Sequence, residues 1–385
     1  MTNMQTLHDA RVQDVIATCS HIEPSVVPVM ANVLTWTIGY VGGNTNELLD
    51  NPDKLPEVYV KFFEDVYFDV NFMFGLSTPI RALERMGSDA FFVSKDNHTI
   101  QHKENCAMEA ADYPALIEDP MHFLINILGP RKFPALRGSK EEAYQALIDV
   151  ALNIDKWAAA NAKCAAFAKE KHGIVSMLGG HKVYPTMDVI FDRLRGMAGC
   201  LTDLRRNREH LISATEALRP LYGKLAQNVT GEFPYGPCTL HCPTYLSKRD
   251  FDEVFWPSMR DMLLEVYNRG SKTVLFMEGE WERHYETLLN DLPKSSILCL
   301  LEDDDIVKAK KLIGHKFTIL GGVKTDKLRF GTKEECIDDA KRILDECAPG
   351  GGFIFTTEKA LCAHGDVNDS NLIAVNQFVH DYGKY

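Results

Sequence analysis

Features typical of membrane, nucleic-acid-binding and secreted proteins are missing from this 385-residue sequence. No run reaches the ~18 apolar residues of a transmembrane helix, and the N-terminal segment lacks the basic and apolar regions of a signal peptide. The formal net charge of −12 argues against nucleic acid or an anionic membrane surface, because binding to phosphate groups needs a basic face. We therefore expect a cytoplasmic protein with no nucleic-acid or membrane partner.

Closely spaced cysteine pairs are also missing. The ten cysteines are scattered, and no Cys-x-x-Cys motif occurs among them. Reduced thiols in a cytosolic compartment, such as that of an anaerobe, are the simplest account. Cys164, in an alanine-rich stretch, and Cys299, inside an apolar run, are expected to be small core residues.

Several common catalytic motifs do not occur. The sequence has no Gly-x-Ser-x-Gly motif, no Walker loop and no Cys–His dyad motif, which disfavours hydrolases and kinases. No Gly-x-Gly-x-x-Gly follows a predicted strand, so an open doubly wound sheet is the rival architecture and not the preferred one.

What the sequence does contain is a regular strand-and-helix pattern between residues 272 and 356. The short apolar runs TVLFM, SILCLL, FTIL and GFIF alternate with amphipathic stretches or acidic turns. Such runs are typical of strands buried on both faces, and their alternation with helices predicts parallel pairing. We predict an α/β fold, a (β/α)8 TIM barrel over residues 1–385, with residues 1–24 as an N-terminal helical extension.

Acidic residues follow two of these predicted strands. Glu278 comes directly after VLFM, and Glu302 comes after SILCLL. The carboxyl ends of parallel strands build active sites in α/β folds, so both are candidate catalytic residues. Alternatively, Glu278 binds substrate or pairs with an arginine, and Glu302 caps the helix that begins near Asp304.

Histidine and cysteine side chains supply further candidates for metal ligands. In CTLHC, a continuing strand would place Cys238 and Cys242 on one face and His241 on the other, so all three cannot bind one ion. In the last loop, Cys362 and its neighbour His364 are candidates, whereas we expect His284 to be exposed. The aromatic residues predicted near strand ends could line a substrate pocket, although core packing is the more frequent role of aromatics at such positions: Trp36, Tyr40, Phe74, Tyr235 and Phe276.

The C-terminal sequence resembles the uroporphyrinogen decarboxylase superfamily. The resemblance rests on GGV, GTKEE, PGGGFIF and the closing YGKY, and it is strongest over residues 229–385. That superfamily includes the decarboxylase and corrinoid-dependent methyltransferases. The decarboxylase grips its porphyrin carboxylates with an arginine-rich segment, whereas the first predicted strand here leads into TWTIGYVGGN, which has no arginine.

Within the superfamily, FMEGEW followed by LLEDDD is similar to methyltransferase I of the anaerobic O-demethylases. The resemblance implies a zinc site in which Glu278 stands where thiol-activating relatives have a cysteine and Phe276 stands where they have a histidine. Cys362 lies near a further cysteine of that pattern. With His241 added from its predicted position at a strand end, the predicted metal ligands are Glu278, His241 and Cys362.

The activity implied is zinc-dependent transfer of a methyl group, from a small methylated substrate such as an aryl methyl ether, to the cobalt of a corrinoid protein. The sequence has no Asp-x-His-x-x-Gly segment, so the cobamide is expected on a separate partner protein. The alternatives are a decarboxylase-like lyase and a non-catalytic barrel that binds cobamide or a small ligand. The sequence leaves open whether the chain forms a homodimer.

Overall fold

The computed structural model describes residues 4–73, 76, 78–179, 182–225 and 233–385. Short strands are followed by helices along most of the chain, as the sequence predicted. The strands are β1 Met30–Ala31, β2 Val70–Asn71, β3 Phe91–Val93, β4 Ile100–His102, β5 Val175–Ser176, β6 Tyr235–Leu240, β7 Lys272–Met277, β8 Ile297–Leu301, β9 Thr318–Gly321 and β10 Phe353–Phe355.

Helices account for most of the remaining regular structure. The α-helices are α1 Met4–Cys19, α2 Trp36–Tyr40, α3 Thr45–Asp50, α4 Leu55–Asp65, α5 Ile80–Arg85, α6 Tyr113–Glu118, α7 Pro120–His122, α8 Gly129–Lys132, α9 Lys140–His172, α10 Thr186–Val189, α11 Met197–Arg206, α12 Arg208–Leu225, α13 Lys248–Asp250, α14 Trp256–Asn268, α15 Tyr285–Asp291, α16 Ile306–Ile313, α17 Thr325–Phe330, α18 Lys333–Cys347 and α19 Asp369–Tyr382. The 3-10 helices are Pro52–Lys54, Ala110–Asp112, Pro134–Arg137, Cys242–Tyr245 and Glu282–His284, and the π-helices are Phe123–Leu128, Ile190–Leu194 and Phe251–Phe255. Among the residues that the structure describes, no helix is both long and apolar enough to span a bilayer.

All strands except the β3–β4 hairpin pair in parallel. One sheet has the order β1-β2-β5 and the other β10-β9-β8-β7-β6. Backbone contacts link the two sheets at both edges: Val29 and Phe355 form a parallel bridge, and the Gly179 N–H donates to the Tyr235 carbonyl at 3.2 Å. The predicted mixed α/β fold with parallel strands is confirmed.

Side chains alternate between two apolar clusters along each strand, as the two-residue period of a strand requires. On β7, Val274 and Phe276 belong with Leu298 and Leu300 of β8 to a cluster bounded by the strands themselves. Leu275, Met277 and the other alternate residues pack outward against the helices. Glu278 follows Phe276 on the strand-bounded face and lies just beyond the end of β7.

Helix α1 lies within residues 1–24, where the sequence predicts a helical extension, and packs at the starts of the strands. Its residues Val15 and Cys19 join the strand-bounded cluster, and Lys272, the first residue of β7, donates from Nζ to the Cys19 carbonyl at 2.6 Å. The opposite ends of the strands, where Glu278 lies, are therefore the ends that α1 leaves open.

Long local patterns were predicted more accurately than short ones. The alanine-rich helix predicted over 140–171 is α9, whose Ser139–Glu142 capping box begins it and whose left-handed Gly173 ends it. The predicted hairpin after Ala90 is β3–β4. The first strand, predicted over 25–33, is shorter, and the helix predicted over 249–267 is interrupted by the π-helix Phe251–Phe255.

Candidate active site

Three candidate residues follow neighbouring parallel strands. His241 comes directly after β6, Glu278 after β7 and Glu302 after β8. Because these strands are adjacent and parallel, their ends lie side by side. The His241 Nε2 atom lies 3.1 Å from the Glu278 Oε1 atom. The structure thus brings together two of the three predicted metal ligands.

Asp192 holds the other side of the His241 ring and was missed in the sequence. The distance from His241 Nδ1 to Asp192 Oδ2 is 2.6 Å, and Asp192 belongs to the π-helix Ile190–Leu194. The ion pairs with Asp192 and Glu278 raise the pKa of His241 to about 11, although partial burial opposes this. In this arrangement the ring carries a positive charge at neutral pH.

Asp188, one helical turn before Asp192, holds the backbone directly after His241. Its Oδ1 atom accepts the backbone N–H of Cys242 at 2.6 Å, and its Oδ2 atom is buried with no hydrogen-bond partner among the described residues. Burial, with repulsion from Asp192 and Glu278, raises the pKa of Asp188 to about 8. The signal available in the sequence was MDVIFD, two acidic residues four apart in an otherwise apolar stretch.

The backbone after β7 is held so that the Glu278 side chain faces His241. The Glu278 carbonyl accepts from Thr244 Oγ1 at 2.8 Å and from Trp281 Nε1 at 3.0 Å. Gly279 then adopts a φ of +71°, and a Cβ added there would lie 2.8 Å from Thr244 Cγ2. Glycine at this position is a requirement of the turn.

Glu302 holds this turn. Its Oε2 atom accepts the Gly279 N–H at 2.7 Å, and its Oε1 atom lies 3.2 Å from Lys359 Nζ. The alternative that Glu302 caps the next helix is wrong, because Asp305 is the N-cap of α16 and accepts from the Lys308 N–H.

Cys362 and His364 make their hydrogen bonds within the last loop and its neighbours. The Cys362 thiol donates to the Ala360 carbonyl at 3.5 Å, and its own carbonyl accepts from Thr35 near the end of β1. Burial and the neighbouring Asp366 raise the pKa of the Cys362 thiol to about 11. Across the described parts of the chain, no three histidine, cysteine, aspartate or glutamate side chains are grouped so that they could hold a metal ion.

The aromatic candidates fall into different environments. Trp36 is fully buried and stacks on Tyr40 with ring centroids 5.0 Å apart, beside His364. Tyr235 is the first residue of β6 and packs near Cys19, so its predicted position at a strand end is wrong. Phe276 meets Phe72 edge-on at 4.7 Å, two residues before Glu278. Phe74 lies outside the described residues.

Two expectations about buried side chains had opposite outcomes. Cys238 and Cys242 both lie in the outward-packed cluster, as predicted for a shared face, but β6 ends at Leu240 and His241 begins a helical turn. The expectation that His284 is exposed is wrong: its ring stacks on Phe251 at 3.7 Å and is 1% exposed. Burial, with the neighbouring positive charges of Arg283 and Lys248, lowers the pKa of His284 to about 4.

Comparison with known proteins relates this part of the chain to one family. Residues 239–382 match the model of the uroporphyrinogen decarboxylase family (URO-D). The match includes His241, Glu278, Glu302 and Cys362, and it overlaps the region in which the sequence resembles that superfamily.

A solved structure supports the same fold over the whole chain. The chain is similar to a methyltransferase from Methanosarcina mazei with a TM-score of 0.60, 13% sequence identity and coverage of 99% of each chain. At this identity the likeness establishes the fold alone. No curated protein sequence matches the chain significantly.

Proposed function

We propose that this protein is a methyltransferase of the uroporphyrinogen decarboxylase superfamily with a (β/α)8 barrel. The eight parallel strands of the two sheets, linked by the Val29–Phe355 bridge and the Gly179–Tyr235 hydrogen bond, support a closed barrel. The family match, the similarity to a methyltransferase fold and the cluster of ionisable side chains at the strand ends support the activity.

The reaction proposed is transfer of a methyl group from a small methylated compound, an aryl methyl ether, to cobalt. The methyl–oxygen bond breaks with its electron pair left on oxygen, and the electron pair of a reduced corrinoid cobalt forms the new carbon–cobalt bond. The departing aryl oxide then takes a proton. The corrinoid would be bound to a separate protein that docks transiently over the strand ends.

The His241–Glu278 pair is the observation that carries this proposal. A histidine nitrogen and a carboxylate oxygen face each other, and the second ring nitrogen contacts Asp192. A carboxylate behind a histidine is the usual arrangement around metal-binding histidines, because it fixes the ring orientation and its proton. Zinc would take the place of the proton between His241 Nε2 and Glu278 and would have one nitrogen and one carboxylate oxygen as ligands from this pair.

His241 Nε2 and Glu278 would hold zinc, with Asp192 and Asp188 positioning them. When bound, zinc supplies a Lewis acid that stabilises negative charge on the ether oxygen. Glu302, anchored by Lys359, fixes the Gly279 backbone and so the direction of Glu278. Phe276 and Phe72 form an apolar edge beside the pair, where an aromatic substrate could pack.

A methyl-transfer assay tests the proposal directly. The protein is incubated with chemically reduced cobalamin and, separately, methoxyarenes, methylamines, methanol or methyl thiols, and the corrinoid spectrum is followed for methyl–cobalt. We expect methyl–cobalt with methoxyarenes, and loss of it in Glu278→Gln. Glu280→Gln, which changes an exposed neighbour beyond the turn, is the matched control and should keep full activity. No methyl–cobalt with any donor would refute the proposal.

The alternative of a decarboxylase-like lyase draws on the family match and on the positive charge of His241, which could pair with a substrate carboxylate. Metal analysis separates the two functions without an activity assay. Stoichiometric zinc in gently purified protein, lost in His241→Ala, favours the methyltransferase. Its absence leaves the lyase or a ligand-binding barrel.

A further inference from the structure

A pocket of about 220 Å³ lies between helices α3, α5 and α9, and none of its lining residues belongs to the His241–Glu278 site. Its wall is largely apolar, through six side chains: Leu49, Pro52, Leu76, Pro79, Ile80 and Trp157. A cavity of about 150 Å³ is enough to hold a benzene ring. This pocket therefore has room for one aromatic ring with a small substituent.

Trp157 gives the pocket an aromatic surface that is held in a fixed position. Its Nε1 atom donates to the Leu76 carbonyl at 2.7 Å, and the ring packs against the core while remaining partly exposed. Among the described residues, no other aromatic ring contacts it. Because a planar ligand can stack on the face of an indole or meet its edge, this side chain favours an aromatic ligand.

Two cations at the pocket lack a counter-charge. Arg85 and Lys156 line it and are exposed to solvent, and in the part of the chain that the structure describes neither side chain has an ion-pair or hydrogen-bond partner. The remaining cation, Arg81, is already paired, since its Nε atom lies 2.7 Å from Asp50 Oδ1 and its Nη1 atom lies 3.0 Å from Glu84 Oε1. In a chain of net charge −12, two unpaired cations beside one pocket favour a ligand that carries its own negative charge.

We propose that this pocket binds a small aromatic carboxylate. The ring lies against Trp157 and the apolar wall, while the carboxylate accepts charge-assisted hydrogen bonds from Arg85, whose planar fork matches two carboxylate oxygens. Lys156 supplies the second positive charge. A neutral aromatic compound leaves both cations unpaired, and inorganic phosphate leaves the apolar wall unfilled. The site uses neither His241 nor Glu278, so the proposal is independent of the methyltransferase activity.

Intrinsic fluorescence and calorimetry, with benzoate as the probe, test the site in the full chain. Trp157 is the reporter, because the other three tryptophans are 3% exposed or less: Trp36, Trp256 and Trp281. We expect saturable quenching with a dissociation constant of about 1 mM or tighter, and calorimetry should give the same constant. Benzyl alcohol, which has the ring but no charge, should bind about tenfold more weakly.

Variants of the pocket locate the binding. Arg85→Ala should weaken benzoate binding about tenfold, and Lys156→Ala should weaken it by a smaller factor, because a lysine ammonium makes a point contact. Lys163→Ala, on the same helix but outside the lining residues, is the matched control and should bind benzoate as the wild type does. In Trp157→Phe the fluorescence change should disappear while calorimetry still records binding. His241→Ala should leave the quenching of Trp157 unchanged, which separates this pocket from any benzoate held at the strand ends.

Four results would overturn the proposal. Wild-type protein that shows no saturable benzoate binding would do so, and so would equal affinity in Arg85→Ala. Binding recorded by calorimetry with no change in the fluorescence of Trp157 would place benzoate elsewhere on the protein. Equally strong quenching by inorganic phosphate or by benzyl alcohol would overturn the assignment to an aromatic carboxylate.

Discussion

Replacing Glu278 by glutamine tests the central pair of the site. Glutamine keeps the size of the side chain and removes its negative charge, so His241 loses one of its two anionic partners. Asp192 remains at 2.6 Å on the other nitrogen. We expect the pKa of His241 to fall from about 11 while staying above that of a free histidine, because the Asp192 pairing is intact.

The size of the fall follows from the exposure of the pair. His241 and Glu278 are 40% and 43% exposed and 3.1 Å apart. Ion pairs open to solvent are worth about 1 kcal/mol or less because water screens them, and about 1.4 kcal/mol corresponds to one pKa unit. The expected fall in the pKa of His241 is therefore about 0.7 unit or less.

Zinc affinity provides the second measurement, because the charge removed is also that of a proposed metal ligand. Loss of groups that only support a metal ligand weakens binding about 10- to 100-fold, so removal of a ligand's own charge should weaken zinc at least about tenfold. Competition against a coloured chelator measures the affinity, and a histidine NMR titration of the zinc-free protein measures the pKa.

The two readouts distinguish two kinds of failure. An unchanged His241 pKa in Glu278→Gln would show that the pair is not formed as described. A lowered pKa with unchanged zinc affinity would show that the pair exists but does not bind the metal. In Glu280→Gln, the matched change of an exposed neighbour, both values should equal those of the wild type.

Three further outcomes are expected. Gly279→Ala should destabilise the turn by about 1–2 kcal/mol, the cost of a left-handed backbone at a non-glycine residue. It should also lower the rate of methyl transfer under conditions in which urea unfolding shows that the protein is still folded. A rate equal to that of the wild type would contradict the role of this turn. The pKa of His284 is lowered to about 4 in the folded protein, so its neutral form contributes stability above pH 6.5 that is lost as the pH falls towards 4. At pH 5 that loss is about 2 kcal/mol, and the difference in urea stability between pH 7.5 and pH 5 should shrink by this amount in His284→Phe. Cys362→Ser should keep zinc content and methyl transfer, since the thiol faces its own loop; loss of zinc in this variant would return Cys362 to the metal site.

The sequence by itself determined the strands and the faces of their side chains. In VLFME the two-residue period that buries Val274 and Phe276 on one face also assigns Glu278 to that face, just beyond the strand end. The same period placed Cys238 on the outward-packed face of β6. Likewise the capping box and terminal glycine of α9 defined that helix locally. These features depend on neighbours a few residues apart, which any reader of the sequence can see.

Only the tertiary structure decided which strand ends and loops meet. Asp192 reaches His241 across 49 residues, because a π-helical segment turns toward the end of β6, and no local pattern encodes that approach. Cys362, a predicted metal ligand, lies in a loop whose backbone is held by Thr35, shortly after β1 and 327 residues away in the sequence. Tyr235 and His284 were misplaced because the start of a strand and the packing partner of a helix depend on where distant elements close. Local periodicity sets the orientation of a side chain, but its neighbours are set by the order of strands and by long-range packing of the whole chain.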